Sequence, residues 1–170
     1  EVNKSFAGIV SILFFFNFLC LNIDPKEAVS ASASPAELPR VYVNSVYPTL
    51  PAGHVVRSVK NNCSGVSNCY TDLQAALNAA VPGDEIVIDA GMILTAPSGG
   101  FVLPSKNNPN NYWIVVRSSN IANLPSEGNR VSPSNAMDMP KIVSPDNLGA
   151  ISTATQAHHY RFVGVEVTVS

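Results

Sequence analysis

The sequence predicts an all-β protein that carries one short α-helix. Two observations lead there. Short apolar runs recur along the chain, and 13 prolines and 10 glycines in 170 residues supply the turns between them. The stretch from Thr71 to Gly91 reads as a helix, a sharp stop and a buried strand.

Within that stretch, Thr71 followed by Gln74 has capping-box spacing and predicts a helix start at Thr71. Leu73, Ala76, Leu77 and Ala80 fall at i, i+3, i+4 and i+7 and form one apolar stripe. Ala75 and Ala79 add helix propensity without bulk, so the helix can lie close to a flat partner. Pro82 lacks an N–H and restricts Val81, so the helix must stop before it. Gly83-Asp84 supplies the turn. Glu85 to Asp89 is apolar and β-branched at its centre, and Gly91 closes it.

The residues from Leu73 through Pro82-Gly83-Asp84 to Gly91 resemble the N-terminal cap and first rung of the pectin-lyase-like superfamily. The resemblance is strong over about twenty residues. It implies a single-stranded right-handed parallel β-helix, with a short α-helix plugging the open end of the coil. Each rung of such a fold contributes three short parallel strands and is buried by its neighbours. The resemblance further implies that the parent protein binds or degrades a polysaccharide, with polyuronide lyase chemistry first and calcium as the parent's cation. A non-catalytic surface adhesin or wall-associated protein is the alternative, since one fold carries many functions.

Residues 1–33 read as an export signal. Lys4 precedes an apolar run from Phe6 to Ile23, and Ala28 to Ala33 places small residues for cleavage after Ala31 or Ala33. A retained membrane anchor is the competing reading, because the run is nearly long enough to span a bilayer. With cleavage the product is secreted or extracytoplasmic, with no membrane partner. Residues 34–70 are a linker and lead-in strands, with strand patterns at Arg40–Tyr47 and His54–Val59.

Cys63 and Cys69 fall in this lead-in. In an exported chain they are expected as a disulfide that ties it to the cap helix. A metal site would need two further ligands nearby, and a redox site the C-x-x-C spacing. Asn62-Cys63-Ser64 also fits a glycosylation acceptor.

Residues 71–170 hold the capping helix and the first rungs, expected as a truncated β-helix: two rungs and the start of a third. After Gly91 the strand candidates are Met92–Leu94, Phe101–Leu103, Trp113–Val116, Lys141–Val143, Ala150-Ile151 and Tyr160–Val169. Loops 104–112 and 118–140 are longer than tight turns and are read first as solvated insertions, with walls of a groove as the alternative. Further rungs are expected to cover the open edge of the last strand.

Charged residues make up 13% of the chain and the formal net charge is -2, which argues against a nucleic-acid partner. Asp72 belongs to the first helical turn and Asp84 to the turn after it, while Glu37, Glu85, Asp89, Glu127, Asp138, Asp146 and Glu166 are scattered, with no D-x-D pair. Lyase chemistry needs a base and a neutralising cation, and hydrolysis needs two close carboxylates. No catalytic, cofactor or metal residue is therefore assigned in this stretch of chain. His158-His159 is read as the lead-in to a strand, where neighbours point to opposite faces and cannot share one metal. Arg117 and Arg161 are expected outward on one sheet, and Tyr112-Trp113 is read as strand cover or a sugar-stacking pair.

Overall fold

The computed structural model describes residues 46–146 and 148–169. The export signal, its cleavage region and most of the Arg40–Tyr47 strand pattern lie outside them. No helix among the described residues is long and apolar enough to cross a membrane.

Short strands dominate, as the apolar runs require. In chain order they are β1 (Val56–Val59), β2 (Cys69–Tyr70), β3 (Glu85–Ile88), β4 (Ile93–Thr95), β5 (Phe101–Leu103), β6 (Ile114–Ser118), β7 (Lys141–Ser144), β8 (Ile151–Thr153), β9 (Tyr160–Val163) and β10 (Glu166–Val169). One α-helix, α1 (Leu73–Ala79), lies between β2 and β3. Two 3-10 turns, Ile121–Asn123 and Pro133–Asp138, shape the loop between β6 and β7. The apolar run from Tyr160 to Val169 is two strands rather than one, divided at Gly164, whose φ is 63°.

Every described strand pairing is parallel. One sheet has the order β2-β1-β3-β6-β9, a second β10-β7-β4 and a third β5-β8. The chain visits them in rotation. β3, β4 and β5 enter the three sheets in turn, β6, β7 and β8 repeat the circuit, and β9 and β10 begin it again. Register holds through the stack, with Ile86 opposite Val116 and Val116 opposite Phe162.

Alternation along each strand then sends one set of side chains inward. Ile86, Ile88, Leu94, Phe101, Leu103, Ile114, Val116 and Ile142 form one apolar cluster with Val59 and the helix residues Leu73, Ala76, Leu77 and Ala80.

The helix sits against β5, β1 and β2. Its cap differs from the expected one. Asp72 is the N-cap, with extended backbone, and its carboxylate accepts from Ala75 N at 2.9 Å. Thr71 lies one residue outside. Gln74 does not fold back to close a capping box. Its amide donates to Val102 O at 2.8 Å and accepts from Val102 N at 2.7 Å. The side chain thus bonds Val102 as a neighbouring strand would, on the edge strand of the β5-β8 sheet. At the other end of the helix Lys106 donates to Asn78 O at 2.7 Å, satisfying a last-turn carbonyl.

The helix stops before Pro82 is reached. Ala80 is already extended, with ψ 143°. Val81 to Asp84 then form a β-turn closed by Asp84 N to Val81 O at 3.0 Å. Pro82 at the second position and Gly83 at the third, with φ 101°, match a type II turn. Gly91, φ 71°, lies in the tight connection between β3 and β4, and its N–H donates to Met139 O at 3.3 Å.

Cys63 and Cys69 are bonded, with Cα atoms 5.3 Å apart. The bridge closes the loop between β1 and β2, directly before the helix.

Leu77 is fully buried in the apolar cluster. Leu77→Ala is expected to lower the unfolding free energy by roughly 2–5 kcal/mol, read from urea titration. A shift under about 0.5 kcal/mol, the scale of a surface substitution, would show that the helix does not seal the core.

Candidate functional site: the outer face of the five-stranded sheet

The face of the five-stranded sheet turned away from the core carries a group of polar and aromatic side chains. Strand alternation decides which residues these are. With Ile86, Ile88, Ile114 and Val116 inward, Glu85, Val87, Val115 and Arg117 face out. Arg161 lies in register with Val115, and Val163 with Arg117, so both arginines stand on this face as expected.

Both arginines have partners within the chain. The Arg117 guanidinium pairs with Glu85, Nε to Oε1 at 2.8 Å and Nη2 to Oε2 at 2.9 Å, a bidentate fork. The Tyr47 hydroxyl donates to the same carboxylate. Burial pulls Glu85 toward neutrality, but hydrogen bonds from Arg117 and Tyr47 and the Arg117 charge outweigh it and hold its pKa below the ordinary 4.5. Burial first, then the Glu85 hydrogen bond and charge, push the Tyr47 phenol well above its usual range. Arg161 donates to Val46 O.

A depressed carboxylate pKa contributes stability that is complete above the unfolded value. That contribution is lost as pH falls through the folded value. Stability is therefore expected to decline below about pH 4.5 as Glu85 takes up its proton. Glu85→Gln should flatten this part of the curve in urea midpoints measured across the acid range. An unchanged acid limb in the variant would show that the pair does not couple folding to protons.

At the start of β6 and β9 stands an aromatic cluster. Tyr112 and Trp113 are 38% and 39% exposed, so neither is swallowed by the core. The Trp113 ring lies 5.0 Å from the His159 ring, and Arg161 Cζ is 6.0 Å from its centroid. His159 is not within the strand. It precedes β9 with φ 60°, a left-handed backbone that His tolerates better than most residues. Strand alternation therefore does not apply to His158 and His159, contrary to expectation, and their Nδ1 atoms face each other at hydrogen-bond distance.

Along the same face the 118–140 loop folds over Val163 and leaves an open, mainly apolar groove of about 500 Å³. Tyr47, Ile121, Leu124, Pro125, Glu127 and Val163 are among its lining, and Glu127 is the one carboxylate among the described lining residues.

The other acids serve as structural partners. Asp84, 3% exposed, accepts from Val55 N, Val81 N and Arg57 Nε and Nη2 at 2.8 to 3.1 Å. Asp89 pairs with Lys60 and Glu166 with Lys141, each at 3.0 Å. Asp138 accepts from Asn120 and Asn123, and Asp146 from Leu148 N. Among the described residues no three His, Cys, Asp or Glu side chains gather as a metal site.

The residues singled out in the sequence thus divide. Leu77, Pro82, Gly83 and Gly91 serve the helix and its turns, Gln74 ties the helix to β5, Cys63 and Cys69 form the bridge, and Thr71 stands one residue outside the Asp72 cap. Sequence reasoning placed Asp84 only in its turn and missed its bonds to Arg57. It also missed the Tyr47–Glu85–Arg117 group. The partners in both are far apart in the sequence and share no motif. Comparison with known proteins found no matching family model, no matching curated protein and no matching solved structure.

Proposed function

We propose that these strands are the first coils of a right-handed parallel β-helix, belonging to an exported protein that binds or degrades a polysaccharide. The rotation of the chain through three parallel sheets supports the coil reading. Right-handedness follows from the general preference of parallel crossovers. Further coils of the same kind would cover β9 and β10, where Phe162 and Val165 pack on the core cluster yet stay only partly buried.

The observation that carries the functional reading is the outer sheet face, where half-exposed Tyr112 and Trp113 stand near a basic side chain and along from a groove. Aromatic faces stack on the apolar side of sugar rings, and a guanidinium suits an acidic sugar. The polyuronide lyase reading assigns substrate, base and any calcium to further coils. A binding role without catalysis is the second reading, favoured by the structural pairing of the described carboxylates.

The test is affinity electrophoresis of the exported chain through gels carrying polygalacturonate, alginate or a neutral glucan, with and without calcium. Retardation by a uronide polymer that is lost in Trp113→Ala supports the reading. Unretarded migration in every gel overturns it. Ultraviolet absorbance of unsaturated product separates the enzyme from the binder.

A further inference from the structure

We propose that His158 and His159 form a two-imidazole site for a late first-row divalent cation, with Cu(II) the preferred ion. This inference does not rest on the polysaccharide reading.

The geometry comes from the backbone. Two adjacent residues in an extended strand would send their rings to opposite faces. Here His159 has φ 60°, and the chain turns before β9 begins at Tyr160. The turn brings both rings to one side, 4.7 Å apart between centroids and edge to face. Their Nδ1 atoms point at each other. A non-glycine residue in the left-handed region is strained, so the surroundings must hold this arrangement in place. Packing of the His159 ring on Trp113 is one such contact.

Two facing imidazole nitrogens can share only one proton. When each ring carries its proton on Nε2, both Nδ1 lone pairs converge with nothing between them. A cation bonded to both at about 2.0 Å resolves that repulsion, after the pair opens slightly to admit it. His158 is exposed, so the remaining coordination positions are open to water.

The ligands are neutral nitrogens, which suit copper, nickel and zinc and not calcium or magnesium. Arg161 near the same indole disfavours any cation. The ion must therefore bind nitrogen strongly, and Cu(II) stands at the head of the divalent series.

The reporter is built in. Trp113 is the chain's single tryptophan and its ring is 5.0 Å from His159. Cu(II) on the pair should quench its fluorescence. The experiment titrates the exported chain with Cu(II) in a non-coordinating buffer and follows Trp113 emission. The variants are His158→Ala, His159→Asn and His54→Ala. Asn tolerates the left-handed backbone, so His159→Asn preserves the turn. Far-ultraviolet circular dichroism checks each fold, and His158→Asn replaces His158→Ala if that variant misfolds.

The expected result is saturable quenching at one ion per chain, unchanged in His54→Ala and weakened about a hundredfold in affinity in each of the other variants, because a chelate becomes a single ligand. Quenching that does not saturate overturns the proposal. So does quenching that survives in either His158 or His159 variant, or that depends on His54.

Discussion

Asp84→Ala is expected to lower the unfolding free energy by about 3–5 kcal/mol, a large fraction of the stability of a domain this size. Its carboxylate holds four donors at once. Val55 N approaches one oxygen, and Val81 N and the Arg57 Nε and Nη2 groups approach the other. The Arg57 side chain is 12% exposed and the Asp84 side chain 4%. Water therefore has little access to replace what the carboxylate supplies.

Removing the carboxylate leaves a guanidinium nearly buried, with Tyr70 OH at 3.1 Å as its other side-chain partner. It also frees the Val81 N–H in the turn that starts β3. Burial would lower the Arg57 pKa, but the Asp84 and Tyr70 bonds and the Asp84 charge more than compensate and raise it. Most of the expected loss is the penalty on that stranded cation, not the net worth of the pair. The double variant Arg57→Ala/Asp84→Ala should accordingly lose less than the sum of the two single losses. Urea unfolding of the three variants measures both quantities. Strict additivity would show that the two groups do not depend on each other.

The strands were legible wherever a β-branched run lay between turn residues. Glu85–Ile88, Phe101–Leu103 and Lys141–Ser144 can be located from local chemistry alone. Their partnership was not legible in the same way. The pairing of Glu85 with Val115, and of Phe101 with Ile151, joins residues far apart in sequence. No local propensity specifies such a pairing, and only the resemblance of the cap pointed to parallel sheets.

The cap shows how a tertiary contact overrides a local pattern. Thr71 and Asp72 are both competent caps. The box that favours Thr71 needs the Gln74 amide, which instead bonds both backbone groups of Val102. On the outer face, alternation placed Arg117 and Arg161 correctly. It could not reveal that Glu85 on the neighbouring strand takes the Arg117 guanidinium, or that Tyr47 joins them. The histidine pair does lead into β9, but the opposite-faces argument failed because alternation was extended two residues before the strand begins. A positive φ at His159 leaves no trace in sequence beyond the residue type.

Gly100→Ala is expected to be comparably destabilising, by about 4 kcal/mol. Gly100 precedes β5 with φ 86°, a conformation that L side chains rarely adopt. A Cβ there would sit 2.5 Å from Gly149 O, 2.8 Å from Ala150 C and 2.9 Å from Ile151 N. All three atoms are backbone, so no rotamer change relieves them. They belong to the segment that starts β8, and β5 and β8 are the two strands of their sheet. The bond from Phe101 N to Ala150 O, 2.9 Å, holds this approach closed. An added methyl must lift β8 away from β5 or break the turn.

Gly53→Ala separates strain from clash. Gly53 has φ 79° and nothing within 4 Å of its virtual Cβ, so that variant should lose only the backbone term of about 1–2 kcal/mol. Gly164→Ala should fall between the two, since its clash is with the end of the Leu124 side chain, which can move. Urea midpoints ranking Gly53, Gly164 and Gly100 in increasing loss are the expected result. Equal losses at Gly53 and Gly100 would mean that β8 can shift off β5 without cost, and that this sheet contributes little to holding the stack together.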